Sequence, residues 1–190
     1  MSESFGISRF SLPLIVPYRG VMPKIHPSAF IAPTAVIIGD VEVGEYSSIW
    51  YGCRLRGDVN AIRIGARTNI QDGSVLHGSS QGRPVIVGAD VTVGHGAILH
   101  ACTVENGAFI GIGAVLLDGV IVRTGAMVAA GALVTPGKLV LSSQLWAGRP
   151  AKAVRELTQQ DRQTMAQNVQ RYVELARDHR QALEALAQKL

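Results

Sequence analysis

Residues 110–134 read IGIGAVLLDGVIVRTGAMVAAGALV. Ile110, Leu116, Val122, Val128 and Val134 recur every six residues, and Ala114, Val120, Ala126 and Ala132 each stand two residues before the next of them. A helix of 3.6 residues per turn cannot hold a six-residue beat, and plain strand alternation would not need glycine or small residues at fixed corners. Two inward positions per six, separated by Gly-rich turns, predict a parallel β-helix. Three hexads then close one triangular coil of 18 residues, and coils stack about 4.8 Å apart, as strands do in a sheet.

The beat extends in both directions. Val140 continues it; upstream run Ile25, Ile31, Ile37, Val43, Ile49, Leu55 and Ala61, then, after a three-residue adjustment, Ile64, Ile70 and Leu76. An interruption from His77 to Ile86 precedes Val87, Val93 and Leu99, and the step to Val104 is one residue short. Small or β-branched inward partners are expected at Ala35, Val41, Ser47, Cys53, Val59, Thr68, Ser74, Val91, Ala97, Thr103 and Ala108. Near Pro150 the beat stops. Thr158 and Asp161 are spaced as a capping box, and Met165, Val169, Tyr172, Ala176, Leu183, Leu186 and Leu190 follow helical spacing. The expected organisation is an N-terminal extension over 1–22, an all-β solenoid over 23–150, and a C-terminal amphipathic α-helix over 151–190 that packs on the solenoid or on a neighbouring subunit.

Composition agrees with such a chain. Hydrophobic residues make up 47% and charged residues 17%, which excludes a mainly disordered protein, while aromatics at 5% call for regular packing of small and branched side chains. The net charge of +4 is spread without a basic run, so nucleic acid is not an expected partner. Cys53 and Cys102 form no CxxC motif, which suits structural thiols in a reducing compartment. The apolar patch Phe10–Val16 is broken by Pro13 and preceded by Glu3, and no run is long enough for a membrane span. These features together predict a soluble cytoplasmic protein.

Three of the five histidines carry the functional reading. His77 follows the inward Leu76 and His100 follows the inward Leu99. If the interruption is an extruded loop, those leucines lie one coil apart, and both imidazoles stand on one face within reach of a single metal at about 2.1 Å each. His95 lies two residues after Val93, on the preceding face and near a corner. A three-fold homotrimer would bring it against a neighbour's His77 and His100, giving three nitrogens and an open position. The competing reading is a set of polar or interface histidines without metal.

RGD at Arg56–Asp58, NIQD at Asn69–Asp72, SVLH ending at His77, VTVGHGAILHACTV over Val91–Val104 and WAGRPAK over Trp146–Lys152 together resemble the gamma-class carbonic anhydrase family, from about Pro23 to Glu156. SSIWYGCRLRGDVNAIRIG is especially similar to its bacterial and mitochondrial branch. The resemblance implies a left-handed solenoid and a homotrimer, with zinc, iron or cobalt at each subunit interface, held by His77, His95 and His100. It also implies an Arg56–Asp58 ion pair across the interface, Gln71 beside the reacting oxygen, and Asp72 as a carboxylate orienting the site. The implied activity is reversible hydration of carbon dioxide to bicarbonate by a metal-bound hydroxide.

Two departures from the best-characterised archaeal pattern bear on turnover. Val59 stands where that form has a glutamate, and the loop Gly78, Ser79, Ser80, Gln81, Gly82, Arg83, Pro84 contains no carboxylate to carry a proton away. Two further readings compete: an acyl-CoA transferase or thioesterase of the same solenoid class, and a non-catalytic metal-binding scaffold, as the resemblance to subunits of plant respiratory complex I suggests. Trp146 is expected to cap the solenoid or sit at an interface.

Overall fold

A computed structural model describes residues 12–80 and 82–188. Glu3, Phe10, Gln81 and Leu190 therefore lie outside the described residues. The chain is a parallel β-solenoid of about seven turns followed by one helix. On one face the strands Phe30–Ile31, Ser48–Ile49, Asn69–Ile70, Thr92–Val93, Phe109–Ile110, Met127–Val128 and Gln144–Gly148 stack in parallel, one per coil. The other faces are joined because Val36–Val43 and Arg54–Ile64 run continuously around a corner.

The hexad residues fill the axis. Ile37, Ile49, Ile70, Leu76, Val93, Leu99, Ile110, Leu116, Val122, Val128 and Val134 are all fully buried, as are the small partners Ala35, Cys53, Ser74, Ala97, Ala114, Val120 and Ala126. Coil length varies along the stack. Cα partners in adjacent coils are 18 residues apart from Ile37 to Leu55, 21 from Leu55 to Leu76, 23 from Leu76 to Leu99, 17 from Leu99 to Leu116, and 18 again from Leu116 to Val134.

Three expected inward positions are corrected. Gly39 pairs with Gly57 and Val41 with Ile62, so the residues from Asp58 to Ala61 face the single residue Asp40. The three-residue adjustment falls within this bulge rather than after Ala61: Ile62 is buried, Ala61 only half-buried, and Val59 is 46% exposed. At the short step, Cys102 takes the inward site and Thr103 is half-buried, because the missing residue shifts the corner by one.

Both ends depart from the expected boundaries. The extension assigned to 1–22 contributes a strand, Leu14–Val16, paired in parallel with Val36–Ile38. The helix does not occupy 151–190 throughout: Ala151–Glu156 is a strand antiparallel to Gln144–Gly148, and the helix α1 spans Gln159–Ala187. Trp146 lies in this last coil, in register with Val128, and its indole donates to Gln144 (2.9 Å). The capping box at Thr158 and Asp161 is formed. From it α1 runs back along the strand ladder of its own chain, burying Met165, Val169 and Ala176. Asn168 meets Thr92 (3.1 Å), and Arg180 donates to the carbonyls of Ser28 and Ala29 (3.2 and 2.6 Å). No helix among the described residues is long and apolar enough to cross a membrane.

Candidate metal centre

His77 and His100 are Cα partners in adjacent coils, as the hexad register requires. Their inward neighbours Leu76 and Leu99 are fully buried, so strand alternation turns both imidazoles outward on the same face. The His77 Nδ1 and His100 Nε2 atoms face each other at 3.3 Å. Each ring's other nitrogen is held by a carboxylate: His77 Nε2 by Asp58 (3.0 Å) and His100 Nδ1 by Asp118 (2.6 Å). If those nitrogens donate to the carboxylates, two lone pairs oppose one another across the gap, an arrangement that calls for a cation between them. Two nitrogens about 2.1 Å from one tetrahedral ion lie about 3.4 Å apart, so the observed spacing fits a shared divalent metal.

Arg56 and Asp58 also stand here. Within one chain their side chains pair at 2.5 Å, because residues two apart on a strand project to the same side. Burial pushes the Asp58 carboxyl upward, but hydrogen bonds from Arg56 and His77 outweigh it and hold the group below its ordinary pKa. The hydrogen bond from His100 does the same for Asp118.

His95 belongs to a second cluster. Gly94 and Gly96 set it at a corner: a Cβ on Gly94 would lie 2.6 Å from the Ile112 nitrogen, and Gly96 has φ +65°. Its Nδ1 pairs with Asp72 (2.9 Å) and its Nε2 lies 3.4 Å from the Tyr172 hydroxyl of α1. Gln71 is buried in the same turn as Asp72. Its amide donates to Asn69 (2.9 Å), whose own amide donates to Thr92 (3.0 Å), which donates in turn to Asn168 of α1. The expected site residues therefore form two groups within one chain, Arg56, Asp58, His77 and His100 in one and Gln71, Asp72 and His95 in the other. Among the described residues no three His, Cys, Asp or Glu side chains converge on one metal position.

Asp118 and Tyr172 were not singled out in the sequence. Asp118 stands 18 residues after His100, one more than the 17-residue coil that separates Leu99 from Leu116, so the register sets it one place past the position opposite His100. Tyr172 was read only as an apolar helix position; its hydroxyl gave no separate signal. Burial and the charge of Asp72 raise the pKa of both Tyr172 and Tyr51, and Tyr51 in turn bonds His179 of α1 (3.0 Å). The thiols take no part: burial pushes Cys53 up to about 11 and Cys102 up to about 12, far from thiolate chemistry.

Residues 22–57 match the family described as bacterial transferase hexapeptide (six repeats). The chain is 52% identical over 161 residues to a carbonic anhydrase of Geobacillus kaustophilus, covering 85% of this chain and 88% of that protein. It is 48% identical over 162 residues to gamma carbonic anhydrase 2, mitochondrial, of Arabidopsis thaliana, covering 83% of this chain and 58% of the plant protein, so it spans about three fifths of that relative's length. A solved structure of a putative acetyltransferase from Bacillus cereus superposes with a TM-score of 0.88 at 46% identity, covering 90% of this chain and 98% of that one. The chain belongs to the gamma carbonic anhydrase family of hexapeptide-repeat proteins.

Proposed function

We propose that the chain catalyses reversible hydration of carbon dioxide to bicarbonate at a metal ion shared within a homotrimer, His77 and His100 coming from one copy and His95 from its neighbour. The observation that carries this reading is the 3.3 Å approach of His77 Nδ1 and His100 Nε2, with both remaining nitrogens on carboxylates. Relatives named carbonic anhydrases support the substrate. Imidazole ligands suit zinc, iron(II) or cobalt(II). His77, His95 and His100 would hold such an ion, which would supply the acidity that turns water into a nucleophile near neutral pH.

The protein's own residues orient and hold. Asp58, Asp72 and Asp118 each take one histidine nitrogen; His77 Nδ1 and His100 Nε2 are left facing each other, and His95 Nε2 is left beside the Tyr172 hydroxyl. Arg56 anchors Asp58. Gln71 is fixed through Asn69 and Thr92, and its amide offers a donor and an acceptor that do not titrate, which suits it to steady an oxygen of carbon dioxide or bicarbonate. Tyr51 and Tyr172, with raised pKa values, stay protonated near neutrality and cannot accept the proton that hydration releases. That proton leaves by way of solvent and buffer.

The likeness to a putative acetyltransferase favours acyl transfer as the second reading. Anaerobic purification, followed by metal analysis, carbon dioxide hydration and acyl-CoA turnover on one sample, separates the two. Hydration that requires the metal supports the proposal. Acyl-CoA turnover without hydration replaces it, and a metal-loaded trimer inactive in both assays leaves a scaffold.

A further inference from the structure

Asp118 sits in a coil that is otherwise regular, yet its side chain turns back toward the irregular coils. Its carboxylate accepts from His100 Nδ1 (2.6 Å) and from the Ser79 side chain of the loop that follows His77. The same loop is tied to the bulge on its other side, where the Asn60 amide donates to the Ser79 carbonyl (3.1 Å). Arg83, at the far end of the loop, lies over the corner beside Asp118; a Cβ on Gly119 would meet its guanidinium at 2.7 Å. An imidazole has two neutral tautomers, and only the one protonated at Nδ1 leaves the His100 Nε2 lone pair pointing at His77.

We propose that Asp118 is a positioning residue: it locks His100 in the Nδ1–H tautomer, so that Nε2 is presented to the metal, and it joins this choice to the placement of the Ser79 loop. The inference rests on the metal reading above for its consequence, but the tautomer lock is a property of the metal-free chain. Asp118 differs from Asp58 and Asp72 in coming from a later coil than its histidine, so His100 is fixed by a contact made only after that coil has closed. Carboxylates that hold a ligating histidine by its second nitrogen typically change metal affinity by about 10–100-fold when removed.

The test uses the full chain, stripped of metal, as parent, Asp118→Ala and Asp118→Asn. Zinc affinity is measured by chelator competition, and the His100 tautomer by nitrogen-15 imidazole spectra in mildly alkaline buffer. The parent is expected to hold His100 as Nδ1–H, and Asp118→Ala to show mixed tautomers at His100 alone, with zinc affinity about 10–100-fold weaker. Asp118→Asn, whose amide oxygen still accepts, keeps the tautomer with a smaller loss and serves if the alanine variant does not fold. An unchanged tautomer in Asp118→Ala overturns the proposal, even if affinity falls, and so does an Nε2–H tautomer in the parent. If the parent binds no zinc, the metal reading fails on its own, and the tautomer spectra still decide the role of Asp118.

Discussion

The coils from Leu116 to Val140 and those from Leu55 to Leu116 are built from the same hexads, yet only the second set holds the candidate chemistry. From Leu116 onward each coil takes 18 residues, and its inward positions hold aliphatic or alanine side chains. In the earlier set successive coils take 21, 23 and 17 residues. The extra residues at Asp58–Ala61 supply the carboxylate on His77, and the loop after His77 supplies Ser79 to Asp118. The short corner follows His100 directly. Departures from the repeat are where polar groups reach out, and Asp118 is the one member of the site drawn from a regular coil.

The largest effect is expected where the regular set is broken. Val128 is fully buried, and Val128→Asp loses about 1.5–3 kcal/mol of side-chain burial and adds several more for an unpaired buried carboxylate. Against a typical total of about 5–15 kcal/mol the fold should be lost, read as insoluble protein or absent β-sheet circular dichroism. A soluble, fully folded variant would overturn the assigned inward register.

The irregular set should behave in the opposite way, losing function while keeping the fold. His77→Ala, His95→Ala and His100→Ala remove half-exposed side chains and should each abolish metal content with little change in melting temperature. Mixing His95→Ala with His77→Ala chains should restore part of the metal, because one copy supplies an intact His95 to another's intact His77 and His100. Full metal binding by a demonstrated monomer contradicts the shared site.

How much of this was legible follows from the same contrast. The hexads of the regular set place their own inward residues, and His77 with His100 could be placed because each follows a buried leucine. Where coil length changes, the beat alone does not say which residue is extra. Ile62 therefore took the site expected of Ala61, and Cys102 that of Thr103. Asp118 escaped because its partner is 18 residues away, close only once the coil has closed.

A smaller, several-fold effect is expected in proton transfer. The exposed Ser80 stands in the loop without carboxylates, and the phenols near His95 have raised pKa values. Small buffers with pKa near 7 should therefore raise the maximal hydration rate, and Ser80→Glu should reduce that dependence. Fast, buffer-independent hydration in the parent would point to a relay elsewhere, with His179, bonded to Tyr51, the first side chain to replace.

The smallest effect tests whether the two sets are energetically separate. The helix α1 starts beside the last coil, at Thr158, and reaches His95 through Tyr172, 14 residues on and roughly 21 Å along the axis. Thr158→Ala removes the hydroxyl that accepts from the Asp161 amide and should cost about 1 kcal/mol, a fall of about 2–4 °C in melting temperature. The Asp161 carboxyl, held well below its ordinary pKa first by Arg155 and then by the Thr158 amide and hydroxyl, stays ionised at neutral pH. A depressed carboxylate stabilises above its unfolded pKa of about 4 and loses that contribution only as pH falls toward its folded value. The parent's advantage over Asp161→Asn should accordingly be constant from neutrality down to about pH 5 and shrink below pH 4. Metal content should not change in Thr158→Ala, since fraying is confined to the first turns of a helix whose next buried contacts are Met165 and Val169. Loss of metal in that variant would mean that the cap, in the regular end of the molecule, helps to hold His95, and that the two regions are coupled through α1.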